Sequence, residues 1–272
     1  MVDLDLLNLF LNAMLLTPSF PTKLHQDAAE VVKDYFKSIR ETDTILVVNS
    51  CARGQAAPES DLDFAILVSP DTTAAQINSI NTAWQIFSGS QLTISKYRRS
   101  NQFAHLHLDI IDGNYKPAIL EPGEPGDSFE IEIGNQISYS APMDSAGPYF
   151  LDLRHKWLPY YNEVLRSERL AAIGNACRYD LDHIPILIKR GLHFHALDTL
   201  GKAFREYLQA LFISHRTYPI AYNKWIKEQI VNWLGNPGLY QKLLPILSVV
   251  NIETDEMNIK AEMLGELLDD LE

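Results

Sequence analysis

The sequence predicts an α+β chain, with a mixed sheet in the N-terminal half and an all-helical bundle after it. Three observations predict this. Short β-branched or alternating apolar runs recur between residues 44 and 133. From about Gly147 the apolar residues recur at helical spacing instead. Gly191, Pro219, Gly235 and Pro237 punctuate the breaks between those helical segments. A length of 272 residues suits two ordinary domains, and the change of period places their boundary near residues 140–148. The expected domains are therefore 1–145 and 146–272.

Residues 3–15 and 23–39 read as two helices, separated by the breaker Thr17-Pro18-Ser19-Phe20-Pro21. Thr44 to Val48 is a short β-branched run, the pattern of a buried strand. A turn rich in small residues covers Asn49 to Ser60, and Asp61 to Val68 forms the next strand. Asp71 is placed to cap a helix reaching about Ile86. Gln91–Ser95 is expected as a third strand. His105–Ile111 alternates with period 2 and stops at Asp112-Gly113-Asn114, which makes a fourth. Residues 114–127 hold three prolines and are expected as a surface loop. Phe129–Ile133 alternates like an edge strand. Helices are expected over 149–172, 179–191, 195–215, 222–234, 238–250 and 255–271.

Composition narrows the function classes. Lys and Arg number 23 against 35 Asp and Glu, a net charge of −12. Such a surface repels nucleic acid, and no dense basic run offsets it. It attracts divalent metal and cationic small molecules instead. The two cysteines, Cys51 and Cys177, have no metal-type spacing and read as reduced thiols. The apolar run Leu4–Leu16 is too short to span a bilayer and lacks a basic flank. The expectation is a cytoplasmic protein without a membrane partner. HExxH, Walker A, GxSxG and zinc patterns do not occur.

The chemistry-bearing stretch runs from Asn49 to Phe64. A strand ends at Ser50, an Arg53-Gly54 turn follows, and Ser60 leads into Asp61-Leu62-Asp63. Side chains alternate along a strand, so Asp61 and Asp63 share one face while Leu62, Phe64 and Ile66 take the other. Adjacent carboxylates repel unless a cation lies between them. Mg²⁺ takes one or two carboxylates together with phosphate oxygens. A third carboxylate on a neighbouring strand completes a two-metal site for in-line phosphoryl transfer. Asp109 is its candidate, because it stands opposite in parity to Leu108 and Ile110. Ser50 and the backbone amides after it can hold phosphates, with Gly54 allowing close approach. Arg53 would neutralise charge there or pin the loop.

The pattern Ser-x-Ala-Arg-Gly-x-Ala-x-x-x-Ser-Asp-x-Asp, followed by a hydrophobic-Asp-hydrophobic strand, resembles the nucleotidyltransferase superfamily related to DNA polymerase β. It is most similar to small bacterial members that adenylylate antibiotics such as aminoglycosides and lincosamides, which links it to antibiotic resistance. The resemblance implies that Asp61 and Asp63 bind Mg²⁺ and the nucleotide. It implies that Asp109 binds a second Mg²⁺ and helps deprotonate the acceptor hydroxyl. Ser50 matches the serine that holds the triphosphate of ATP or another NTP. The chain departs from the pattern at Asn49, where the family usually has Gly; Asn tolerates left-handed backbone better than most residues. Two further readings stand beside a small-molecule acceptor: a protein-nucleotidylating, antitoxin-type enzyme, and a catalytically inactive nucleotide-binding module. The sequence singles out neither a monomer nor a homodimer.

The helical half is similar to the domain that follows this module in small-molecule enzymes, where a Lys reaches the triphosphate and acids reach the acceptor. Lys202 and Lys224 are the phosphate candidates, each against the simpler reading of a solvated helix charge. Asp180, Asp182, Glu206 and Glu228 are acid candidates that no spacing distinguishes. His105 and His107 share the parity of Asp109, while His193 and His195 are expected to open a helix. Trp157, Trp225 and Trp233 are expected in the core, with base stacking by Trp225 or Tyr218 as the minor alternative.

Overall fold

The computed structural model describes residues 15–119, 123–124 and 126–271. The helix expected over residues 3–15 lies outside them, apart from its last residue. The chain forms two compact units. Of the described residues, the first comprises those up to Tyr115 together with Glu132–Leu158, and the second those between Lys116 and Ile131 and those from Pro159 on.

In the first unit, helix α1 spans Lys23–Lys37 and is capped by the Thr22 hydroxyl, which accepts the His25 amide. Its buried stripe, His25, Ala28, Ala29, Val32 and Phe36, follows the 3.6-residue period. Strand β1 (Thr42–Val47) leads into a single helical turn, α2 (Asn49–Ala52), and then into β2 (Leu62–Val68). Next come α3 (Ala74–Ser90), closed by a Thr73–Gln76 capping box, α4 (Leu92–Arg98) and β3 (Leu106–Ile111). A short strand, β4 (Ala141–Pro142), completes the sheet in the order β3-β2-β1-β4. The β1–β2 and β1–β4 pairs are antiparallel and β2–β3 is parallel, so the sheet is mixed. Leu62, Phe64 and Ile66 pack against Val32 and Phe36 of α1, Trp84 of α3 and Tyr97 of α4.

Two strand expectations are corrected. Gln91–Ser95 is not a strand, because Leu92–Arg98 is helical and buries Ile94 and Tyr97 three residues apart. A parallel β2–β3 pair needs a crossover, and this helix is part of it. Phe129–Ile133 is also helical and becomes α5, continued by a wide turn over Gly134–Ser138. Its residues alternate as those of an edge strand do, which would turn Glu130 away from the core. Glu130 is instead fully buried, because Arg169 compensates its charge. Helix α6 (Pro148–Trp157) closes the first unit. Asp43 accepts the Tyr149 and Phe150 amides at its first turn, at 3.1 and 3.0 Å.

The second unit is built on α7 (Glu163–Lys189) and α8 (His193–Ser214), joined by a tight turn in which Gly191 has φ +70°. Helix α10 (Glu256–Asp269) packs on both, burying Leu264 with Cys177, Ile184 and Leu208, and the short α9 covers Pro237–Leu243. The expected helix breaks shift. Residues 149–172 are interrupted after Trp157, at Leu158-Pro159, and α7 then runs without a break through 172–179. Over 222–234 only a short wide-turn segment, Glu228–Trp233, forms after Trp225 with φ +59°.

Candidate functional site

The first unit assembles its acidic face from the register of two strands. In the parallel β2–β3 pair, Asp63 lies across from His107 and Ala65 from Asp109. Residues paired in this way point to the same side, and residues two apart along a strand do so as well. Asp63, His107 and Asp109 therefore share a face, opposite to the Leu62, Phe64 and Ile66 face that fills the core. Asp61, two residues before Asp63, accepts the His105 amide on Oδ1 at 3.1 Å. Its Oδ2 lies 3.9 Å from His107 Nε2. His107 and Asp109 are exposed, while Asp61 and Asp63 are partly so.

The turn before these carboxylates is held from behind. Asn49 has φ +58°, the left-handed region where a glycine would be expected. That angle lets the chain leave β1 and enter α2 at once. Gly54 follows with φ +68°, and its missing Cβ faces open space. Ser50 is half-buried, and its carbonyl accepts the Gln55 amide at 2.9 Å. Arg53 caps α2, and its charge acts on the Tyr139 hydroxyl. Burial, with Asp63 nearby, pushes the Cys51 thiol up to about 12, so it stays protonated. The Ser60 hydroxyl accepts the Ala57 amide at 2.9 Å and closes the loop.

The Ser60 carbonyl is gripped by two residues that the motif does not include. The Tyr97 hydroxyl donates to it at 3.2 Å, and His25 Nε2 lies 3.0 Å away, with Nδ1 toward the Thr22 hydroxyl at 2.7 Å. These bonds fix the chain one residue before Asp61. No local sequence signal marks His25 or Tyr97, since both come from helices distant in the chain.

A cleft of about 370 Å³ lies beside Asp109, lined by Ile77, Asp112, Tyr115, Glu132 and Gln136 among others. Three carboxylates on its wall make it a cation-attracting space. The residues fit divalent metal in one form. Among the described residues, no three His, Cys, Asp or Glu side chains stand close enough to hold an ion unaided. Phosphate oxygens of a bound nucleotide would have to supply the rest, as Mg²⁺ sites with one or two carboxylates require.

In the second unit, Lys202 contacts Asp180 Oδ2 at 2.9 Å and the Gly123 carbonyl at 2.6 Å, with Glu206 Oε1 at 3.8 Å. Its ammonium thus already serves two buried acids. Burial first, and Asp180 second, push the Glu206 carboxyl up to about 8. Asp182 lies on α7 and Glu228 opens the wide-turn segment. Lys224 is exposed in the loop before it. His193 and His195 open α8. Trp157 is buried edge-on to Tyr115, whereas Trp225 is 43% exposed and so is not a core residue. Tyr218 is buried, its ring 4.6 Å from that of Tyr160.

Neither a family model nor a curated protein matches the chain. Among solved structures it is similar to a nucleotidyltransferase-like protein from Exiguobacterium sibiricum 255-15. That similarity has a TM-score of 0.41 and 12% identity, over 90% of this chain and 74% of the other. Among the described residues, no helix is long and apolar enough to cross a membrane.

Proposed function

We propose that this chain is a nucleotidyltransferase that moves a nucleoside monophosphate, AMP from ATP, onto a hydroxyl of a small molecule. One observation carries the reading: the β2–β3 register sets Asp109 on the face of Asp61 and Asp63, directly after a turn whose Asn49 takes up the left-handed backbone. Asp61 and Asp63 would hold one Mg²⁺ and Asp109 a second. When bound, the ions would neutralise charge on the triphosphate and on the departing pyrophosphate. Ser50 and the amides of the turn would bind the triphosphate, with Arg53 adding positive charge nearby. Asp109 would accept the proton of the acceptor hydroxyl as its oxygen bonds to the α-phosphorus. The bond from that phosphorus to the bridging oxygen would break, and pyrophosphate would leave with the electron pair. Orientation and fixed charge would supply most of the acceleration. The acidic cleft beside Asp109 suits an acceptor carrying amines, such as an aminoglycoside-like compound.

Calorimetry with Mg²⁺ and a non-hydrolysable ATP analogue tests the core of this. Binding is expected in the native chain and is expected to vanish in the Asp61→Ala, Asp63→Ala double variant. Transfer of α-phosphate label to an aminoglycoside panel, compared with transfer to lysate protein, then separates small-molecule from protein acceptors. An intact chain that neither binds nor turns over Mg²⁺–ATP is not an enzyme of this kind.

A further inference from the structure

We infer that Tyr97 and His25 are positioning residues for the acidic face, which set Asp61 and Asp63 against Asp109 through the backbone. The inference rests on the function proposed above and adds two residues to which that function assigns nothing.

Tyr97 ties together the entrances of the two strands that carry the acids. Its hydroxyl stands 3.2 Å from the Ser60 carbonyl, one residue before Asp61. It also stands 3.3 Å from the His105 carbonyl, one residue before β3 begins. A phenol has one proton to give, so the hydroxyl is shared between two acceptors and draws both toward one point. The strands are pinned directly at the same place. The Leu62 amide donates to the His105 carbonyl at 2.9 Å, and the His105 amide donates to Asp61 Oδ1 at 3.1 Å. The β2–β3 ladder runs on from here to the Ala65–Asp109 pair, so this end sets the register of all three acids.

His25 holds the Ser60 carbonyl from a second helix. That oxygen can only accept, so His25 Nε2 carries a proton and donates at 3.0 Å. In the neutral ring Nδ1 is then the acceptor, and the Thr22 hydroxyl donates to it at 2.7 Å. Thr22 also caps α1, so the start of the helix fixes the angle of the ring. The His25 and Tyr97 rings meet edge-on with centroids 4.9 Å apart, and each limits the tilt of the other. Both side chains are buried, on the core side of the sheet.

Neither residue touches what the acids would bind. They act from behind, by fixing the backbone that carries the carboxylates. Loss of partners that orient metal ligands in this way commonly costs about 10–100-fold in affinity.

Calorimetry of the full chain with Mg²⁺ and a non-hydrolysable ATP analogue, beside thermal denaturation, provides the test. Tyr97→Phe keeps the ring and removes the hydroxyl; His25→Ala removes the second donor. Each is expected to weaken binding of the Mg²⁺–analogue complex by about tenfold. His25→Gln keeps an N–H at similar reach and is expected to stay within about twofold of the native chain. Ile184→Val, in the core of the second unit, is the control: it lowers the melting temperature and is expected to leave binding unchanged. If Tyr97→Phe does not fold, the two His25 variants decide alone. Folded Tyr97→Phe and His25→Ala chains that bind as the native chain does overturn the inference and leave the nucleotidyltransferase reading standing. So does a loss that Ile184→Val shares or that His25→Gln does not restore. A native chain that does not bind the complex overturns both.

Discussion

The two units handle carboxylates in opposite ways. In the first, Asp61, Asp63 and Asp109 lie partly or fully exposed on one strand face, and the contacts of Asp61 come from a backbone amide and a histidine ring. In the second, Glu130 is fully buried and Asp127 half-buried, and both are bound by the Arg169 guanidinium, whose Nε and Nη2 reach Glu130 at 2.9 and 2.7 Å. Gln209 and Tyr161 supply the remaining donors, at 2.8 and 2.9 Å to Glu130. Acidic residues alone thus say little about a site. What separates the two groups is their setting: the Arg169 guanidinium ties Asp127 and Glu130 into the second unit, while Asp109 stands exposed and Asp61 partly so on the first.

The sharpest way to break this contrast is to remove charge from each side. Replacing both Asp61 and Asp63 by Ala should lower Mg²⁺-dependent nucleotide affinity by two to three orders of magnitude, about 3–4 kcal/mol. The melting temperature should move little, by the loss of the Asp61 bond to the His105 amide at a partly exposed position. Calorimetry and thermal denaturation on the same samples check both halves. Arg169→Ala should do the reverse, costing about 3–5 kcal/mol of stability, because it strands the buried Glu130 carboxylate along with half-buried Asp127. Urea denaturation reads that loss.

Glu206 sharpens the comparison through pH. Its carboxyl titrates near 8 in the folded chain, against an ordinary 4.5, because it is buried beside Asp180. The folded state therefore holds a proton that the unfolded state has released. The contribution is fully present below about pH 4.5 and is lost as pH rises through about 8. Glu206→Gln should remove that slope and stabilise the chain at pH 9 by roughly 2 kcal/mol. Denaturation at pH 4 and at pH 9 would show a gain only at the higher value. A smaller effect is expected at Asn49. Asn49→Gly should be neutral, whereas Asn49→Ala should cost about 1 kcal/mol, because a methyl side chain resists that backbone angle. Parallel melting curves of the two variants decide it.

Much of the first unit was readable from periodicity. The runs at 44–48, 61–68 and 105–111 alternate or cluster their apolar residues as sheet positions do, and they became β1, β2 and β3. Phe129–Ile133 alternates just as well, yet it coils, because its inward acid finds a guanidinium 39 residues away. A local pattern carries no record of such a partner. The same limit applies at the site. Alternation gives Asp61 and Asp63 a common face, but that Asp109 shares it depends on which strand β2 pairs with and in which direction. The grip of His25 and Tyr97 on the Ser60 carbonyl is a long-range contact of the same sort.

Among the described residues β3 is one of the two edge strands of the sheet, β4 being the other, and one row of its backbone groups is unpaired by the sheet. Bare margins of this kind invite a second molecule to add on and start aggregates. Asp109 stands exposed on that strand, a polar side chain of the kind that discourages a second copy from pairing there. Neutralising it for a kinetic experiment would therefore also lower the concentration at which the protein stays in solution, and light scattering belongs beside the assay.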